Sequence, residues 1–312
     1  MRRKLIQHGM SSLTVSMPKK WVNKNNLVKG GEVEIEIFNN RLIISTEKQY
    51  KHNKISLDIS NAQPMIRKIV GATYKAGFDE VHIRFNTYQE LKAIQDVVRE
   101  QFTGFEIIGQ SKESIIIKNL TQTNFEEFNN VLRRFFFVLN HISTEFCSAV
   151  EKDDFVWVKN TALIKIESDK FADYCRRAIN MGFESEFERI APLYTIIEQL
   201  EKVVDRYKDL CEYVSDNKLI LNKDIKSYSK DLLKFQEYFY NLFYKFELEN
   251  IIILGKDKEV LQRKIDKIAD CCSKKEVKVI MLFDRILNLI FDLNGPLMTI
   301  VINKASKISK TN

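Results

Sequence analysis

A chain of 312 residues exceeds one ordinary domain and points to two or three. Its hydrophobic fraction of 45% and its 21 Phe can supply real cores, while the five Cys (147, 175, 211, 271, 272) have neither a disulfide framework nor zinc-finger spacing, which fits a reducing cytosol. The net charge of +7 is uneven: residues 1–50 hold nine Lys/Arg against four Asp/Glu, residues 51–120 ten against eight, and the remainder thirty of each sign. The basic surplus therefore belongs to the front of the chain, where a polyanion would bind. That front lacks an apolar signal core, which argues against secretion. No apolar run reads as a membrane span, since even Val277 to Ile302 carries Lys278, Asp284, Arg285 and Asp292.

In chain order, Arg2-Arg-Lys-Leu-Ile-Gln7 reads as a basic strand. Gly9-Met-Ser-Ser-Leu-Thr-Val-Ser-Met-Pro-Lys-Lys-Trp21 follows, with Pro18 suited to the first position of a short helix. Gly30-Gly31 lies before a strand and is a turn rather than a nucleotide cradle. Val33, Ile35 and Ile37 alternate with Glu32, Glu34 and Glu36 as a half-buried strand does. Asn39-Asn40 can make a two-residue hairpin turn into Arg41–Ser45. This β unit is too short to close a core of its own, and a second copy is the simplest completion.

A polar linker over 46–53 leads to a βαβαββ module over 54–120. Its strands are expected at Lys54–Ser60, Glu80–Phe85, Phe105–Gly109 and Ser114–Leu120. Asn61 is expected to cap a helix over 62–76 with Ile66, Ile69, Val70 and Tyr74 on one face, and Thr87–Phe102 to turn Leu91, Ile94, Val97 and Val98 inward. Beyond Gln122 strand signals almost vanish. Six helices are expected at Asn124–Lys152, Asp154–Asn180, Ser185–Asp216, Lys223–Glu249, Lys256–Ser273 and Glu276–Lys304. The break at Asn217–Asn222 divides them three and three, a weak internal repeat consistent with two antiparallel three-helix bundles over 122–217 and 222–306. The fold class is thus a multidomain α+β chain.

No catalytic set stands out. The four His (8, 52, 82, 141) are scattered, and neither a serine elbow nor a phosphate loop is present. Carboxylates do recur at helical spacing: Glu198, Glu201 and Asp205 on one helix, Glu167, Asp169 and Asp173 on the helix before it. If the two helices pack side by side, these oxygens suit a divalent or iron ion of the harder kind (magnesium, manganese or iron) better than zinc. A solvated charged face answered by Lys170, Lys202 and Arg206 explains the same rows. The second triplet holds a weaker counterpart in Asp266, Asp284 and Asn288, where Asn supplies only a neutral oxygen. A metal-dependent hydrolase on Glu167, Asp169, Glu201 and Asp205 lacks an accompanying base or nucleophile. At the front, Arg2, Arg3, Lys4, Lys19, Lys20 and Lys24, with Ser11, Ser12 and Asn23, are either phosphate contacts or ordinary solubilising charge.

Two resemblances bear on these alternatives. Gly9–Trp21 followed by Leu27-x-x-Gly-Gly-x-Val33 closely resembles the SpoVT/AbrB family, with Gly31 where that family often has Asp. The likeness implies a swapped-hairpin β-barrel dimer over 1–48 whose DNA contacts fall to Arg2, Arg3, Lys4, Lys19, Lys20 and Lys24. Leu200-Glu-Lys-Val-Val-Asp205 and Glu167-Ser-Asp-Lys-Phe171 resemble the acidic helix motifs of PhoU proteins, with Asp266-Lys267 and Asp284–Asn288 as second-repeat counterparts. That resemblance implies metal clusters on the acidic motifs and restraint of phosphate import through a transporter ATPase and a sensor kinase. Phe283 and Asn288 depart from the pattern, so a metal is expected mainly in the first triplet. An AbrB-like front on a PhoU-like back is the layout of archaeal phosphate uptake regulators: cytoplasmic, dimeric and non-enzymatic.

Overall fold

The computed structural model describes residues 2–9, 11–38, 41–46, 53–121, 127–182 and 190–308. It divides into two compact units, Met1–His52 and Asn53–Asn312.

In the first unit, β1 (Ile6–His8) pairs antiparallel with β2 (Ser12–Thr14), in the register Ile6 to Thr14. The short helix α1 (Lys19–Lys24) starts after Pro18, whose carbonyl accepts from the Trp21 and Val22 amides at 2.9 and 3.0 Å. β3 (Glu34–Phe38) and β4 (Arg41–Ser45) form the expected hairpin, register Phe38 to Arg41; its turn at Asn39-Asn40 lies outside the described residues. Gly30 has φ +84°, as a turn there requires. Among the described residues of this unit none is buried. Leu5, Ile6, Leu13, Val28, Ile35, Ile37 and Leu42 are all exposed, Ile37 by 81%.

The second unit opens with a four-stranded sheet. β5 (Lys54–Asp58) runs parallel to β6 (Glu80–Arg84), which pairs antiparallel with β8 (Ser114–Asn119), itself antiparallel to the edge strand β7 (Phe105–Gln110). Alternation turns Val81, Ile83, Ile115 and Ile117 inward, onto Ile66, Val70 and Tyr74 of α2 (Ile66–Lys75) and Leu91, Ile94, Val97 and Val98 of α3 (Tyr88–Gln101). Thr87 caps α3 through a reciprocal capping box with Glu90. The Glu90 carboxylate also accepts from the Asn61 and Asn86 amides, both at 2.7 Å. Asn61 therefore does not cap α2: it stands at φ +62° and the helix begins only at Ile66.

The remaining helices share one core. α4 (Phe128–Glu151) packs on α6 (Lys165–Asn180), α7 (Ile190–Asp216) and α8 (Lys223–Tyr244), and α7 also packs on α10 (Val277–Asp292) and α11 (Asn294–Ile308). The segment expected as one helix over Asp154–Asn180 is broken into α5 (Phe155–Thr161), a 3-10 turn at Ala162–Ile164 and α6 (Lys165–Asn180). α8 (Lys223–Tyr244) stops five residues early, and α9 (Leu248–Cys271) starts eight residues before the expected Lys256, with Gly255 in its interior. α10 (Val277–Asp292) and α11 (Asn294–Ile308) divide at Leu293. Pro296 falls in the first turn of α11, where its missing amide has no helical partner to lose. By length and composition Val277–Ile302 could cross a membrane, despite its four charges. Its apolarity has a local cause: Val279, Phe283, Ile286, Leu287, Ile290, Leu293 and Leu297 are buried in the shared core. Within that core, the Gln236 amide of α8 donates to Asn140 Oδ1 (2.8 Å), Ser143 Oγ (2.9 Å) and the Leu139 carbonyl (3.2 Å) of α4.

Candidate functional site

The six cations of the front are all exposed. Arg2, Arg3 and Lys4 lie on the extended segment before β1, and Lys19, Lys20 and Lys24 on α1. None of them forms an ion pair with another described residue. Exposed cations on a short scaffold are what a phosphate backbone attracts.

The acidic rows expected on two helices do meet. Glu167, Asp169 and Asp173 lie on α6 and Glu198, Glu201 and Asp205 on α7, and these helices pack together. What they meet around, however, is Arg176. Its side chain is 4% exposed, and its guanidinium reaches Glu198 Oε1 and Glu201 Oε2, both at 2.5 Å, and Asp173 Oδ1 at 3.2 Å. One turn before Asp169, Lys165 Nζ is 2.6 Å from Asp169 and 3.1 Å from Asp205. Lys75 of α2 adds a third cation, 3.6 Å from Asp173. Glu167 is exposed and stands apart from this network.

The electrostatics follow from burial and pairing. Burial pushes the Asp173 and Glu201 carboxyls above their usual range, and Arg176 only partly offsets it. Burial also opposes the charged form of Arg176, but Glu201, Asp173 and Glu198 outweigh it and raise its pKa. Lys165 behaves alike: desolvation acts against it, and Asp169 and Asp205 more than compensate. Five of the six carboxylates are thus already engaged by cations of the chain. In the second triplet, Gln262 Nε2 bridges Asp266 (3.2 Å) and Asp284 (2.9 Å), while the Asn288 amide donates back to the Asp284 carbonyl at 2.8 Å. Among the described residues no group of three or more acidic, His or Cys side chains is arranged to hold a metal. The donor sets do not fit one.

Sequence reasoning missed two features. Arg177, beside Arg176, is 1% exposed. It donates to the Tyr74 and Phe78 carbonyls at 2.8 and 2.9 Å, pairs with Asp79 at 2.6 Å, and lies over the rings of Tyr74 and Phe105 at 5.1 and 5.0 Å. This side chain is one of the links between the helical body and the α/β module, beside Lys75 to Asp173 and the Asn180 amide to the Lys75 carbonyl. A signal existed in the two Arg flanked by the small, buried residues Cys175 and Ala178 on an otherwise polar helix. Second, the sheet face away from α2 and α3 bears an open groove of about 380 Å³ lined by Ser56, His82, Arg84, Ser111 and Ser114 among others. Nearby, Glu80 is buried and held by His82 (2.8 Å), Lys54 (2.9 Å) and Lys118 (3.8 Å), which depress its carboxyl to about 2.

Residues 9–52 match the family described as antidote-toxin recognition MazE, bacterial antitoxin. Among solved structures, a PhoU-like protein from Shewanella oneidensis MR-1 resembles the helical part at 12% identity and a TM-score of 0.42, covering 56% of this chain and 99% of its own. The phosphate transport system regulatory protein PhoU from Streptococcus pneumoniae is similar to the same extent, at 12% identity and a TM-score of 0.42, with 57% and 96% covered. No curated protein sequence matches the chain.

Proposed function

We propose that this chain is a cytoplasmic, non-enzymatic regulator of phosphate uptake that binds DNA as a dimer through its first unit. One observation carries the DNA reading. Six exposed cations, none ion-paired to another described residue, stand on a β unit that buries none of its described residues. An apolar alternation left open on both hairpins calls for a second copy to cover it, and a swapped-hairpin barrel is the form that copy takes. The match of residues 9–52 to an antitoxin family supports a small partner-binding head of this kind. The helical half docks a partner, a transporter ATPase or a sensor kinase, and biases the head; this part rests on the acidic helix motifs and their resemblance to PhoU proteins.

The test is a titration of phosphate-transport promoter DNA against salt. The logarithm of affinity should fall linearly with the logarithm of salt, with a slope no steeper than roughly −11 if a dimer's twelve cations all meet phosphates. Absence of binding at low salt, or a flat slope, removes the DNA reading. A second reading is favoured by the exposed apolar side chains alone: the head only dimerises, and the body inhibits the transporter directly. Charge reversal at Arg3, Lys19 and Lys20 separates the two, because it abolishes regulation only if DNA is the target.

A further inference from the structure

We propose that the acidic face between α6 and α7 is closed by cations belonging to the chain itself, so that the helical body holds no metal there. The argument is one of charge and of occupied donors. A divalent ion held by carboxylates needs several oxygens at ~2.0–2.6 Å with lone pairs free to face it. Here Glu198 and Glu201 accept hydrogen bonds from the Arg176 guanidinium, Asp173 Oδ1 has no hydrogen bond but is ion-paired to Arg176 and Lys75, and Asp169 and Asp205 meet the Lys165 ammonium. A guanidinium does not lose its proton in a protein, so a metal would have to share the site with a fixed positive charge.

Nor can Arg176 step aside. Its side chain is 4% exposed, and its Nε donates to the Ala172 carbonyl at 3.2 Å, which ties the stem to its own helix. The fork geometry of Arg lets one side chain bridge carboxylates on two helices, as a metal would. The second triplet shows the same substitution in neutral form. Gln262 places a single amide nitrogen between Asp266 and Asp284 and so occupies the oxygens a cation would join. In both triplets, then, a nitrogen donor of the chain stands where acidic residues of neighbouring helices come together.

The experiment uses the full chain, freed of metal by chelation and then exposed to Mn²⁺. Elemental analysis should find no stoichiometric metal, and neither chelator nor Mn²⁺ should shift the melting temperature. Bound stoichiometric Mn²⁺ that disappears in Glu201→Gln would overturn the proposal. Arg176→Gln removes the built-in cation and leaves Asp173, Glu198 and Glu201 facing one another. It should lower the melting temperature and make it rise again with added Mn²⁺, a response absent from the wild type. A folded Arg176→Gln protein indifferent to Mn²⁺ would also count against the proposal. Should that variant not fold, the wild-type measurement and Glu201→Gln decide alone. Promoter binding by the first unit is measured separately, so neither result settles the other.

Discussion

Replacing Arg177 with Met tests how the helical body and the α/β module are joined. Met keeps the apolar stem and removes the charge, so the loss is confined to two carbonyl contacts, one ion pair and two ring contacts. The Asp79 side chain, 8% exposed, would then stay buried without its cation. Removing one member of a buried pair costs about 3–5 kcal/mol. Asp79 keeps an amide contact from Asn53 at 3.3 Å, which places the expected loss near the lower end. The assay is urea unfolding of the full chain followed by circular dichroism, read as a shift of midpoint at constant slope. A cycle with Asp79→Asn should return a coupling of about 1–3 kcal/mol, as contacting residues do. If Arg177→Met lay within about 0.5 kcal/mol of wild type, as ordinary surface changes do, or the cycle summed to zero, the reasoning would be refuted.

Two further outcomes can be checked directly. The Glu80 carboxyl is lowered from 4.5 to about 2, first by the His82 hydrogen bond and then by Lys54. A depressed carboxyl contributes stability that is complete above its unfolded value and lost as the pH falls through its folded value. The melting temperature should therefore drop between pH 4.5 and about 2, and Glu80→Gln should flatten that segment; parallel curves would dismiss the network. Gly104 stands at φ +78° before β7, and a Cβ there would lie 2.0 Å from Thr121 Oγ1. Gly104→Ala should destabilise by more than about 1 kcal/mol in urea. Adding Thr121→Ala should recover only the steric part of that loss, and full recovery would show that backbone strain plays no role.

Much of the architecture was readable from pattern alone. Period-2 alternation located β5, and the spacing of Leu91, Ile94, Val97 and Val98 located α3, because both signals are local. Helix ends were less legible. The helix expected from Lys256 begins at Leu248 instead, and Leu254, buried in the core, holds α9 together across Gly255. The 3-10 turn at Ala162–Ile164 left no mark of its own, as Ala, Leu and Ile suit a continuous helix equally well. At the acidic face, spacing brought the right carboxylates onto two facing helices but could not say what they face. Arg176, three residues from Asp173, was not among the cations read as answering these rows, which were Lys170, Lys202 and Arg206. Arg177 takes partners from about a hundred residues earlier in the chain, a distance at which no local pattern speaks.

The packing of α7 on α10 also has a bearing on synthesis. The apolar side of α7 leaves the ribosome well before Val279, Phe283 and Ile286 exist to cover it. About sixty residues separate the end of α7 from the start of α10, which at bacterial or eukaryotic elongation rates is a delay of roughly 3–12 s. Throughout that interval the nascent first triplet presents a sticky flank to its neighbours. That open flank belongs to the nascent chain and not to the finished molecule.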